Sequence, residues 1–148
     1  MITNIDIYEI VKQALPDDFK SRYGVGRTTA NDDGTIRIIP NIVTITIKPA
    51  EKPVRDIGGR IIRNYKRVLL SVYSDRGGRE AIESGELACE QIKETLNKLH
   101  NVKASYTDSD GNTKELRIID SQILIDTNYL GMTEQGIHRF SLEYKIAY

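Results

Sequence analysis

The chain has 148 residues with 21 Lys+Arg against 21 Asp+Glu, so it is formally neutral, and its pI of about 6.7 argues against general affinity for nucleic acid. That length suits one domain, 1–148, able to bury roughly 70% of the surface its unfolded form exposes, and the single Cys89 excludes an intramolecular disulfide. The opening MITNIDIYEI lacks the basic-then-apolar order of a secretory leader and no apolar run nears the ~18 residues that cross a bilayer, so a reducing cytoplasm and no membrane span are expected.

Asn4 stands where a helix cap is wanted, and Ile7, Ile10, Val11, Ala14 and Leu15 follow it at i, i+3, i+4, i+7 and i+8 until Pro16 ends the stripe. Residues 20–34, KSRYGVGRTTANDDG, hold three glycines and no hydrophobic period, which predicts an irregular connection. From Thr35 the period becomes two. Val43, Ile45 and Ile47 alternate with Thr44, Thr46 and Lys48, while Pro40 permits only an edge or a bend before them. A second strand over Ile61–Tyr73 offers Val68, Leu70 and Val72 to one face, and the two strands read as a hairpin whose tip is too long for a two-residue turn.

Ser74-Asp75 offers a cap for the main helix, whose Ile82, Gly85, Cys89, Ile92, Leu96 and Leu99 recur every three or four residues. Gly85 and Cys89 in that stripe suit a helix lying close on a sheet better than a coiled coil. The remainder reads as β: a strand at Val102–Thr107, a DSDGN turn, a strand around Leu116–Asp126 and a last one from Ile137. In it Phe140, Leu142, Tyr144, Ile146 and Tyr148 alternate with Arg139, Ser141, Glu143, Lys145 and Ala147, so one face should pack and the other stay open. The whole order predicts an α+β fold: an antiparallel or mixed sheet with a long protruding hairpin and helices on one side.

Motifs that approach chemistry fail on inspection. YGVGRTTA, Tyr23–Ala30, would need a first glycine where Ser21 stands and a lysine where Arg27 stands, and as a dinucleotide fingerprint its third glycine is Thr29. DSDGN, Asp108–Asn112, begins like a calcium loop, but its glycine comes early and Ile119 occupies the bidentate glutamate's place; Asp110-Gly111 is a hairpin signal instead. His100, His138 and Cys89 have no zinc spacing, and His100 suits the last turn of the helix. Glu83, Glu86, Glu90 and Glu94 lack an aligned histidine, so a solvated or partner-facing helix surface is expected rather than a metal-dependent hydrolase. Neither a cofactor nor a metal is implied, and no enzyme.

The informative stretch is KPVRDIGGRIIRNYKR, Lys52–Arg67. Between Lys48 and Arg67 seven basic residues face only Glu51 and Asp56, a local charge of +5 in a neutral chain. Phosphate could use it, but Tyr65 is the lone aromatic platform there. An acidic protein surface could equally use it, and the chain supplies one in its own glutamate-rich helix, which would join copies head to tail. With apolar content confined to Val54, Ile57, Ile61 and Ile62, the tip adds little to its own core. Arg55, Arg60, Arg63, Lys66 and Arg67 on one side and Glu83, Glu86 and Glu90 on the other are the candidate interface residues.

The order helix, long hairpin, main helix, terminal strands, together with NYLGMTEQGIHRFSLEYKI (Asn128–Ile146), resembles the tail-terminator or tail-completion (minor capsid) proteins of long-tailed bacteriophages over roughly Ile36–Tyr148. The resemblance implies a structural virion protein made in the bacterial host cytoplasm. It implies a ring, commonly of six subunits, that caps the tail-tube protein and meets the head connector while DNA passes through without sequence-specific binding. The connection at 20–34 and the hairpin from Val102 to Leu116 have no counterpart in that pattern. They leave open another head–tail joining ring, and the basic hairpin leaves open a small nucleic-acid-binding module.

Overall fold

The structure, a computed structural model, describes residues 2–24, 42–48, 52–108 and 110–148. In chain order its elements are α1 (Asn4–Ala14), β1 (Lys20–Gly24), β2 (Ile42–Ile47), β3 (Val54–Arg55), β4 (Ile61–Arg63), β5 (Tyr65–Arg76), α2 (Arg79–Leu96), β6 (Val102–Thr107), β7 (Thr113–Ile118), β8 (Asp120–Met132) and β9 (Ile137–Ala147). They form the expected α+β fold around a mixed sheet ordered β1-β2-β5-β9-β8, in which β1 runs parallel to β2 and every other pair is antiparallel.

The cap of α1 is Thr3 rather than Asn4. Thr3 Oγ1 accepts from the Asp6 N–H and the Asp6 carboxylate accepts from the Thr3 N–H, a reciprocal box that satisfies two donors at the helix start. Asn4 is thereby freed to take a hydrogen bond from Lys66 Nζ at 2.9 Å. The stripe Ile7, Ile10, Val11 and Leu15 is buried as its spacing requires. Leu15 leaves helical geometry with ψ 155°, because the ring of Pro16 disfavours a helical residue before it.

Part of the connection expected to be irregular is a strand. Lys20–Gly24 pairs with Ile42–Thr46, and Tyr23 sets its ring edge-on to that of Tyr8 at 5.4 Å. An edge strand carries no strict alternation, which hid it. Residues 25–34, and with them the YGVGRTTA glycine at 26, lie outside the described residues, as do Thr35 and Pro40.

One face of the sheet carries Val43, Ile45 and Ile47, then Val68, Leu70 and Val72, then Phe140, Leu142, Tyr144 and Ile146, all buried in one core with the apolar sides of α1 and α2. Gly85 lets α2 come this close: a Cβ there would stand 2.1 Å from Cε2 of Phe140. Ser74 and Asp75 do not cap α2, because β5 continues to Arg76, paired with Ile137, and the chain turns at Gly77 (φ 140°) before Gly78 precedes the helix. The β6–β7 hairpin turns at Asp108–Gly111 with Gly111 at φ 83°, as DSDGN predicts, and buries Tyr106 and Ile118 in the same core. The strand expected over Leu116–Asp126 is two. β7 stops at Ile118, Ile119 donates to the Ala147 carbonyl, and β8 then runs on to Met132 along β9.

The face of β9 away from the helices is not bare. Glu143 there is 2% exposed and Ala147 is buried, so the alternation is correct and the expected open face is not. Lys48 Nζ lies 3.0 Å from Glu143 Oε2, and Arg67 Nη2 pairs with Oε1.

Candidate assembly surface

The hairpin that β2 and β5 begin inside the sheet continues past it. The Lys48 N–H donates to the Arg67 carbonyl at 2.9 Å, Asn64 exchanges two backbone bonds with Tyr148 after β9, and beyond that point, among the described residues, β3 and β4 pair only with each other. Their turn is built from polar contacts. The Asp56 N–H donates to the Arg60 carbonyl (2.9 Å) and the Gly59 N–H to the Asp56 carbonyl (3.0 Å). Asp56 Oδ1 accepts from the Arg60 N–H (2.8 Å) and Oδ2 from Arg60 Nε (2.9 Å), while Arg55 Nη1 donates to the Gly59 carbonyl (2.8 Å). Gly59 sits at φ 84°, the left-handed conformation that glycine adopts without strain. The Arg60 backbone N–H, followed by its side chain, holds the Asp56 carboxyl below its usual value. At the apex of this ordered turn Ile57 is fully exposed, with Val54 and Ile61 exposed beside it.

The basic residues therefore divide. Arg55, Arg60 and Arg63 stand exposed on the arm, the first two also tying its turn. Lys66 and Arg67 belong to the body, bonded to Asn4 and Glu143, so they are not brought to the tip with the other three. On α2, Glu83, Glu86 and Glu90 are all exposed; Glu83 pairs with Arg79 Nε at 2.8 Å and Glu90 with Lys93. Lys93 also reaches Asp126 of β8 at 2.9 Å, which ties that flank of α2 to the sheet edge, and the two carboxylates push its pKa up. At 100° per residue, Glu86 falls within about 20° of Lys93 on the flank turned toward β8, and Glu90 and Glu83 lie further round toward solvent.

Sequence reasoning placed a strand over the first half of β8, to Asp126, but named none of its residues as part of an interface. It is an edge strand with register shifts between Ile123 and Ile125, Ile125 and Asn128, and Tyr129 and Gly131, and it exposes Leu124, Ile125, Tyr129, Leu130 and Met132. Bulges that twist an edge away from pairing are a common protection, yet these apolar side chains stay uncovered. The missed signal was a strand-length run, ILIDTNYLGM, with little alternation.

The other groups considered from sequence have structural surroundings. Burial pushes the Cys89 thiol up to about 12, far from a nucleophile's range. His138 is buried, with Nε2 donating to the Gly77 carbonyl (2.6 Å) and Nδ1 2.7 Å from the Tyr129 hydroxyl, a link that fixes the turn before α2 to β8 and β9. His100 Nδ1 is 3.2 Å from Asp120 on the surface. An open pocket of about 640 Å³ at the end of α1 is lined by Lys12, Asp17, Phe19, Lys20 and Ser21 among others. Among the described residues no three His, Cys, Asp or Glu side chains are grouped to hold a metal, and no helix is long and apolar enough to cross a membrane. No family model and no curated protein matches the chain.

Proposed function

We propose that this chain is a non-enzymatic structural subunit that assembles head to tail into a ring at the end of a phage or prophage tail, capping the tube and joining it to the head. The observation that carries this reading is the arm. Its turn is held by five hydrogen bonds, yet it presents three arginines together with Val54, Ile57 and Ile61 to water. A preordered, charged projection of that kind lowers the ordering cost of meeting a partner. The phage-specific part of the reading rests on the likeness of element order and of the Asn128–Ile146 stretch.

The test is the variant Arg55→Glu, Arg60→Glu, Arg63→Glu. Exposed charges contribute little to stability, so its circular dichroism and melting should match the parent protein, while like charges at the contact slow encounter. Electron microscopy should then show no rings and no head-competent tails. Normal assembly by this variant would remove the arm from the mechanism. Salt-dependent retention of DNA by the parent, lost in the variant, would favour a nucleic-acid-binding module instead.

A further inference from the structure

Arm and acidic flank lie at opposite ends of the molecule. Tyr65, where β5 leaves the arm, pairs with Ala147, whereas Met132 pairs with His138 at the other end of β9, beside Gly77. Helix α2 starts at that far end, lies with Gly85 on Phe140, and finishes where Asn97 accepts from the Tyr144 hydroxyl, nearer the arm. The twelve residues of β5 span roughly 35 Å at about 3.3 Å each, and the arm extends beyond their near end. A subunit's own arm tip cannot reach its own far end.

That far end has what the tip lacks. Met132 and Tyr129 sit opposite His138 and Phe140, the helix-facing residues of β9, and remain exposed at the sheet edge; Leu87 stands exposed on the outside of α2. Glu86 lies on the flank of α2 from which Lys93 reaches β8, on a helix carrying five glutamates against Arg79 and Lys93. Resting on the reading of this chain as a self-assembling subunit, we infer that the exposed edge formed by Tyr129 and Met132, with Glu86 on the facing flank of α2, is the socket for the arm tip of a second copy, with Ile57 as its apolar anchor. Charge selects this occupant. The tip brings Arg55, Arg60 and Arg63 together with the exposed Ile57, Val54 and Ile61, and the far end brings the glutamates of α2 beside the exposed Tyr129 and Met132. A contact made by two different patches is heterologous, so each subunit keeps one arm and one socket available and the series continues until it closes.

The experiment uses the full chain with Ile57→Cys in one preparation and Met132→Cys in another, treated with a short bismaleimide separately and as an equimolar mixture. Cys89 is buried and stays silent. Cross-linked dimer should form in the mixture and far less in either preparation alone, because tip meets socket and not tip. In parallel, Ile57→Asp should weaken self-association by about tenfold or more in sedimentation, about 1.4 kcal/mol, with unchanged circular dichroism. Equal cross-linking in all three samples, no cross-link at all, or tip-dependent binding to anionic vesicles in place of self-association would overturn the socket. Rings seen by microscopy without the mixed cross-link would sink this inference and leave the ring reading standing. A mixed cross-link found only in open filaments would do the reverse.

Discussion

Val54 and Val72 lie on the same hairpin, yet Val72 is 1% exposed and Val54 is 40% exposed. Residue type does not separate them. Val72 pairs with Phe140 under α2 and closes the core, whereas Val54 belongs to the two-stranded arm. The body is ordered by burial, at about 25 cal/mol per Å² of apolar surface removed from water, whereas the arm is ordered by polar bonds around Asp56. It follows that the body should be intolerant of change and the arm permissive, and variants can test each half of that contrast.

The largest effect is expected where the body holds a charge. Glu143 is buried and balanced by Lys48 and Arg67, both of which retain partial contact with water. Lys48→Met with Arg67→Met strands the carboxylate and should cost about 3–5 kcal/mol. Glu143→Gln should cost distinctly less, because the two cations can turn outward. Urea denaturation of the three proteins checks this ordering; equal losses would show that the carboxylate finds water by itself.

Next comes Gly85. Any side chain there meets the ring of Phe140, so Gly85→Leu should overpack the contact by about 3 kcal/mol, read as a lowered melting temperature. Adding Phe140→Ala should recover part of the loss, since the two sites share one space. An unshifted melting curve for Gly85→Leu would mean that α2 does not rest on β9 there.

Sequence periodicity was enough for this half of the molecule. The stripes in α1 and α2 and the alternation in β2, β5 and β9 identify the core faces, because burial against one partner leaves a period of its own. What it could not reach were pairings with no local trace. Lys20–Gly24 is a strand only because Ile42–Thr46 lies parallel beside it, and the buried Glu143 is met by Lys48 and Arg67, both far away in sequence. The cap slipped from Asn4 to Thr3 because the deciding partner was the carboxylate of Asp6. For the assembly surface, the charge of the arm was legible, but five cations counted together separate into three on the arm and two held inward. Ile57 looked like one apolar residue in a poor tip; its full exposure at an ordered apex needed coordinates.

The smallest effect on stability belongs to the arm's own turn, and it depends on pH. Asp56 accepts from the Arg60 N–H and from Arg60 Nε, and these contacts, the backbone one foremost, hold its carboxyl below 3.8, the usual aspartate value. Because the folded value lies below the unfolded one, the turn's stabilisation is complete above the unfolded value and is lost as pH falls through the folded one. Asp108 gives an internal standard: its carboxylate accepts from the Asn112 N–H in the β6–β7 turn, and its pKa is lowered for the same first reason. In a pH titration followed by NMR, the Arg60 and Asn112 amide signals should both move below pH 3.8, while core amides such as that of Leu70 stay in place. Asp56→Asn should abolish the Arg60 titration and leave both the Asn112 response and the melting temperature untouched. If that variant instead lowered the melting temperature, the arm would be part of the cooperative body, and the division between a core held by burial and a tip held by hydrogen bonds would fall.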